Sequence, residues 1–397
     1  MFQKYRASGS LWLLLVLFNS GFIQAAVYIV RPMITYRSVE LGADSALVGA
    51  VGATFALAPL LFAIPIGRWV DRGRAGFALF AGAGISLLTA FSLLFINSIP
   101  LLMAAMPMLG IGHLLTMVGG QTMIANRSQD AKLEKNFGLL TFYASLGQAI
   151  GPFTGGVLAD TGTIQVNTNA AIGFAGFLFA FAVVTTIPLV RGTKAEAAQV
   201  AGNTKGSVRQ VLGLPNFKSA IFVASAITAV IDVVLIFLPL LGRELGLTTT
   251  EVGVLLAVRS LSSMGVRLVL GQITRRFGMK WVLNGGSIVT LLSCLAIATV
   301  TNFWLLLVIM AISGFAMGIG QPATMAWVSR ISSPATKGLA ISIRLTANRF
   351  GQVTMPAIAG LVAGAGISGV FVMLAVLQAA SIGVTFSALK KSEPEGD

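Results

Sequence analysis

The chain has 397 residues, 56% of them hydrophobic and 10% charged, with a mean hydropathy of +0.88. Soluble domains carry about 25% charged residues, so a water-soluble fold is excluded. The net charge of +14 would suit a nucleic-acid partner, but the placement of the basic residues argues against one.

Twelve apolar stretches follow one another, at roughly 8–32, 45–66, 75–97, 100–125, 136–160, 168–190, 217–241, 249–270, 280–300, 302–328, 338–363 and 366–388. Each is near the ~20 residues a helix needs to cross a bilayer. The basic start Met1-Phe2-Gln3-Lys4-Tyr5-Arg6 precedes a run too long for a signal-peptide core and reads as an uncleaved first span. Along that span Ser20, Gln24, Tyr28 and Arg31 recur at helical spacing, a polar stripe expected to face a cavity or another helix. Arg31 lies towards the outer end and is expected to snorkel to the surface. The fourth span holds His113, the single histidine. Its ordinary titration range suits a proton carrier, while a hydrogen-bonded packing residue is the plainer reading. Met106, Met117, Phe22 and Phe142 could line an apolar pocket or simply pack.

In the fifth span Gly147, Gly151 and Gly155 share one helix face, which permits a close helix crossing. Pro152 removes a backbone hydrogen bond there and bends the helix. The pair of features fits a hinge between halves or tight packing. Segment 191–216 is the longest polar stretch and reads as a linker. Beyond it, Asp232 lies about 22 Å from the inner end of the seventh span, and Arg259 about 16 Å from the outer end of the eighth. The two therefore sit at similar depth and are expected to pair, either permanently or exchangeably. Ionisable groups cost roughly 2.5–3.5 kcal/mol each in a bilayer on insertion scales. In the eleventh span Arg344 and Arg349 are five residues apart. That turns the helix by about 140°, so they point in different directions, and depth favours Arg349 for the cavity. Asn348 shares the face of Arg344, and Gln352 follows Arg349 by three positions.

With the N-terminus in the cytoplasm and every stretch crossing once, 20 of the 27 lysines and arginines fall in or beside cytoplasmic segments. Arg31, Arg37 and Arg243 lie near the outer face, and Arg259, Arg267, Arg344 and Arg349 lie within spans. This positive-inside bias sets the expected orientation, with both termini cytoplasmic. The basic surplus thus signals topology, with anionic lipid head groups as its partner.

The chain also repeats itself. Gly67-Arg68-Trp69-Val70-Asp71-Arg72 matches Gly271-Gln272-Ile273-Thr274-Arg275-Arg276, and Gly147-Gln148 with Pro152 matches Gly351-Gln352 with Pro356, at one constant offset. Two related membrane halves imply a site between them that can open to either side. The expected architecture is all-α. Twelve transmembrane helices form two pseudo-symmetric six-helix bundles, residues 1–190 and 217–397, joined by 191–216. No GxxxxGK[ST] phosphate loop is present. The one cysteine, Cys294, permits no intrachain disulfide. A single histidine, a single cysteine and scattered carboxylates offer no metal cluster or hydrolytic triad, so neither an enzyme nor a cofactor is expected.

The loop Gly67-Arg68-Trp69-Val70-Asp71-Arg72-Gly73-Arg74 resembles the signature of the major facilitator superfamily. The span-5 segment Gly147-Gln148-Ala149-Ile150-Gly151-Pro152-Phe153-Thr154-Gly155-Gly156 resembles the motif associated with that family's antiporters. The resemblance covers the whole chain. It implies a functional monomer in a prokaryotic cytoplasmic membrane that works by alternating access. Gly67, Arg68, Asp71, Arg72 and Arg74 would form a latch at the inner helix ends, where a carboxylate can pair with arginine and a helix N-terminus. Gly147, Gly151, Pro152 and Gly155 would form a hinge. Two departures stand out: Arg275 occupies the place of Asp71 in the second copy, and Met106 occupies the place of the family's span-4 arginine, with His113 nearby.

The expected function is secondary transport, first as a proton-coupled antiporter exporting small amphipathic or anionic organic molecules. Organic-anion uptake or exchange is the alternative, and a transporter-like membrane sensor is a third reading. Asp232 and then His113 are the candidates for proton coupling. Gln24, Tyr28, His113, Asp232, Arg259, Arg344, Asn348 and Arg349 are the candidates for substrate binding.

Overall fold

The structure, a computed structural model, describes residues 11–162, 165–190, 207–333 and 336–390. The described residues form helices α1 (Leu11–Glu40), α2 (Ser45–Val70), α3 (Ala75–Leu93), α4 (Ile99–Arg127), α5 (Asp130–Ala159) and α6 (Thr168–Val190). After these come the short α7 (Val208–Leu212), then α8 (Phe217–Glu244), α9 (Thr249–Thr299), α10 (Phe303–Ile331), α11 (Lys337–Ala363) and α12 (Ile367–Lys390). The eighth and ninth apolar stretches are continuous in α9. It bends at Gly278, whose φ of 77° is open to glycine and strained for other residues. Counting α9 twice and setting α7 aside gives twelve spans in two six-helix halves.

Among the described residues, nine helices are long and apolar enough to cross a membrane by composition. α5 and α11 are not among them, because each carries polar residues along one face. That face turns into the interior cavity, which reconciles a polar helix with a membrane position. The tail of the linker is not wholly extended. α7 buries Val211 against the second half beside Phe217 and Ala220, while residues 191–206 lie outside the described residues.

The side of the bundle where α1 begins is here called proximal, and the side where α1 ends, distal. The helix starts repeat at the sequence offset: Ser45 of α2 matches Thr249 of α9, and Ile99 of α4 matches Phe303 of α10. Both matched turns use the same device. Asp44 caps α2 by accepting from the Leu47 N–H, and Thr248 caps α9 within a capping box with Glu251. Each half has a distal and a proximal apolar core. The distal core of the second half also takes in Ala43 and Val48 of the first, so the halves are packed together at that end.

Glycine contacts make this closure. Gly49 of α2 lies against Pro356 and Gly360 of α11, and Gly253 of α9 lies against Pro152 and Gly156 of α5. Thr249 Oγ1 donates to the Gly156 carbonyl at 2.9 Å, Thr250 Oγ1 to Asp160 Oδ2 at 2.6 Å, and Thr35 Oγ1 to the Ile236 carbonyl at 3.0 Å. Gly147, Gly151 and Gly155 do not face the other half. They seat on Gly21, Ala25 and Ile29 of α1, within the same bundle. The expected hinge face is therefore an internal seam. The surface presented across the interface is offset by one residue, at Pro152 and Gly156, because one helix turn can show glycine in two directions.

Candidate functional site

Between the halves lies a cavity of about 690 Å³ lined by α1, α2, α3, α4, α5, α8, α9, α10 and α11. Its deep end holds the buried Arg31, His113 and Asp232. Its walls become exposed at Gln121, Thr141, Gln321 and Leu345, which lie in the proximal parts of their helices. With the distal ends packed, the cavity opens to the proximal side.

The centre of the site is an ion pair across the two halves. Arg31 Nη1 lies 2.6 Å from Asp232 Oδ1, and both residues are almost fully buried. Asp232 Oδ1 also accepts from Gln352 Nε2 at 3.4 Å, and Gln352 Oε1 accepts from Arg349 Nη1 at 2.8 Å. A chain of contacts thus runs from α1 through α8 to α11. The pair is one-pronged: Arg31 Nε and Nη2 and Asp232 Oδ2 are buried without hydrogen-bond partners among the described residues. The Arg31 guanidinium also stacks 4.5 Å from the centre of the Phe55 ring, a favourable place for a desolvated cation.

Two sequence expectations change here. Arg31 does not snorkel. Although nearer the distal end, it is covered by the distal closure and turned inward to a carboxylate. The partner of Asp232 is therefore Arg31, not Arg259. Arg259 is equally buried, but it stands behind the pair and outside the cavity lining. Its Nη2 reaches Ser260 Oγ at 3.5 Å, and its Nε has no partner among the described residues. The first apolar stretch ends near 32 and so places Arg31 at the surface, but α1 continues to Glu40 and leaves Arg31 inside the bundle, beside Asp232.

The remaining candidates divide by half. On the first half, Gln24 Nε2 and His113 Nε2 meet at 3.1 Å, and Gln148 Nε2 donates to Gln24 Oε1 at 3.4 Å. His113 Nδ1 is buried without a partner among the described residues. With Tyr28, Ser20 and Asn19, these residues make a neutral polar wall. On the second half the wall is cationic. Arg349 lines the cavity. Arg344 borders it but spends Nη2 on the Gln321 carbonyl (3.1 Å) and Thr324 Oγ1 (2.8 Å) of α10. Asn348 accepts from Ser225 Oγ at 3.3 Å. Met117 and Phe142 line the cavity, whereas Met106 is in the core of the first half. Sequence reasoning gave no role to Arg267, which lines the cavity and donates from Nη1 to Ser145 Oγ across the halves at 2.8 Å. Ser145 sits at the repeat position of Arg349, and that coincidence was the available signal.

The sequence model of the Major Facilitator Superfamily matches residues 16–280 and 219–397. The chain belongs to the major facilitator superfamily. An uncharacterized MFS-type transporter of Methanocaldococcus jannaschii is 22% identical over 328 residues, covering 81% of this chain and 83% of its own length. Multidrug resistance protein 1 of Bacillus subtilis is 21% identical over 351 residues, 88% of each chain. The solved structure of the nucleoside transporter NupG, as its D323A mutant, superposes with a TM-score of 0.78 at 16% identity, covering 96% of this chain and all of that one. Family and fold together make the protein an integral membrane transporter with two six-helix halves.

The superfamily's loop motif lies on the proximal side. Asp71 follows α2 and is exposed, with no side-chain hydrogen bond or ion pair to a described residue. Arg74 stacks on Trp69 at 5.4 Å. On the distal side, Asp160 accepts from Thr250 and from the Gly162 N–H, and these bonds hold its carboxyl below the usual range.

Proposed function

We propose that this protein is a proton-coupled antiporter that exports small organic anions, amphipathic ones included, and that its proximal side faces the cytoplasm. The carrying observation is the buried Arg31–Asp232 pair, which joins the two halves where the cavity ends. Distal opening has to separate α1 from α8 and so has to break this pair. Two events relieve it. A proton can neutralise Asp232, or a substrate anion can take Arg31 in its place. One site then answers to both ions, which is the requirement for exchange. The basic proximal loops support the orientation, and a relative named for multidrug resistance supports export.

In this cycle a substrate anion enters from the proximal side and binds Arg31, with Arg349 and Arg267 beside it. The loaded halves rock, and the anion leaves distally. Asp232 then gains a proton from the distal side, and the protein returns without substrate. Re-pairing with Arg31 expels the proton to the proximal side. Glutamine, histidine and hydroxyl groups of the first half would orient the uncharged part of the substrate, and the apolar lining at Val27, Met117 and Phe142 would hold its hydrocarbon.

Proteoliposomes test the reading. With an imposed pH gradient, Asp232→Asn is expected to abolish proton-coupled flux in a folded protein. Coupling equal to wild type would retire the assignment. The surplus of Arg267 and Arg349 over carboxylates also favours a second reading, organic-anion uptake or exchange. Counterflow of labelled carboxylates that is independent of the pH gradient would select it, and preference for cationic dyes would oppose both.

A further inference from the structure

Arg259 is a buried cation that lies outside the cavity lining and meets no carboxylate among the described residues. Its helix packs in the same half as Asp232, and it lies within Coulomb reach of Asp232 and Tyr28. Its backbone is packed against Gly314 as Phe55 is packed against Gly110. These are matched positions of the repeat, so Phe55 and Arg259 are counterparts. So are Tyr28 and Asp232. In the first half the aromatic Phe55 supports Arg31 from behind. In the second half the same place holds a charge.

We infer that Arg259 is the alternate partner of Asp232: the carboxylate is held by Arg31 when the cavity opens proximally and by Arg259 when it opens distally. The inference rests on the rocking transport cycle proposed above. Arg31 belongs to the first half and departs with it when the distal ends separate. Asp232 would then be a lone charge inside the membrane, at severe cost. Arg259 travels with Asp232, because α8 and α9 are parts of one bundle. It can therefore receive the carboxylate in the state in which Arg31 cannot. The same swap frees Arg31 for a substrate anion. Arg259 acts through Asp232 and is a positioning residue.

The groups that face Asp232 are Arg31 and Tyr28 on α1, Arg259 on α9 and Arg349 on α11. α10 and α12 carry no ionisable side chain at its depth. Arg349 also belongs to the second half, but Gln352 stands between it and the carboxylate.

Spin labels at Asn97→Cys and Asn302→Cys, on distal ends of the two halves, report distal opening by pulsed dipolar spectroscopy in nanodiscs, with Cys294→Ala as background. Arg259→Gln is expected to lower the distally open fraction at least tenfold at neutral pH, and Arg259→Lys to keep it within about threefold. In an Asp232→Asn background, Arg259→Gln is expected to have no further effect. A loss of equal size with and without Asp232 would make Arg259 merely structural and overturn the inference, as would an unchanged fraction in Arg259→Gln. Wild-type proton coupling in Asp232→Asn would remove the proton role yet leave this cycle of variants intact, so the two proposals fail separately. A wild-type protein with no distally open population would remove the rocking basis of both.

Discussion

Replacing Gly49 by alanine tests whether the distal glycine contacts govern the conformational balance. A Cβ at this position would lie 2.8 Å from Gly360 Cα and 3.0 Å from Gly360 N. Carbon atoms in contact sit about 3.5–4.0 Å apart, so α2 and α11 have to part by roughly 1 Å. Neither neighbour is a side-chain tip that could swing away, because both atoms are backbone. Overpacking of this kind costs about 1–3 kcal/mol. The cost falls on the distally closed state alone, since the contact exists only there. The ratio of distally open to closed molecules should therefore rise by about 5–150-fold. The matched change Gly253→Ala, against Pro152 and Gly156, should act in the same direction. The distal spin-label pair Asn97→Cys and Asn302→Cys reads the shift. A lower melting temperature with an unchanged distance distribution would refute the reasoning, since the contact would then be ordinary packing.

Arg37 is buried and ties the end of α1 to Thr168 Oγ1 and Asn169 Oδ1 at 3.1 Å each and to the Leu93 carbonyl at 3.4 Å. Arg37→Ala should therefore destabilise the first half by about 2–4 kcal/mol, visible as a lower melting temperature in detergent. Arg349→Ala should weaken binding of a transported anion by roughly tenfold or more in equilibrium binding, and an unchanged affinity would remove Arg349 from the anion site. Asp160 has its folded carboxyl depressed by its hydrogen bonds. Its contribution to distal closure is thus present above the ordinary aspartate range and lost as pH falls through the lowered value. In Thr250→Val, distal opening should lose that part of its acid dependence.

The fold was legible because the bilayer leaves few choices: apolar length, basic loops and a repeated motif fix the number of spans and their pairing. Site residues were legible where polarity is rare. Asp232, Arg349, Gln24, Tyr28 and His113 stand out in apolar surroundings and line one cavity. What could not be read was azimuth and contact between halves. Arg31 stands at the end of its apolar stretch and Arg259 within one, so depth favours the wrong arginine, and only the packing of α1 on α8 shows Arg31 beside Asp232. The glycine faces of α5 differ by one residue, so the pattern could not say which one meets α1 and which meets α9. Arg267 is visible in the sequence as a charge within a span, but its partner is an unremarkable serine on the opposite half, so its contact could not be read.

The reciprocity of the distal contacts gives the seam between the halves a symmetry. Gly49 meets Pro356 and Gly360, while their counterparts Pro152 and Gly156 meet Gly253. When patch A touches patch B and, elsewhere in the same seam, B touches A, the surface is complementary to itself, the mark of an isologous dimer. The two halves thus clasp as the subunits of an isologous dimer do, within one covalent chain. Because the halves differ in sequence, one carries a carboxylate, Asp232, where the other carries the phenol of Tyr28, an asymmetry no true homodimer has.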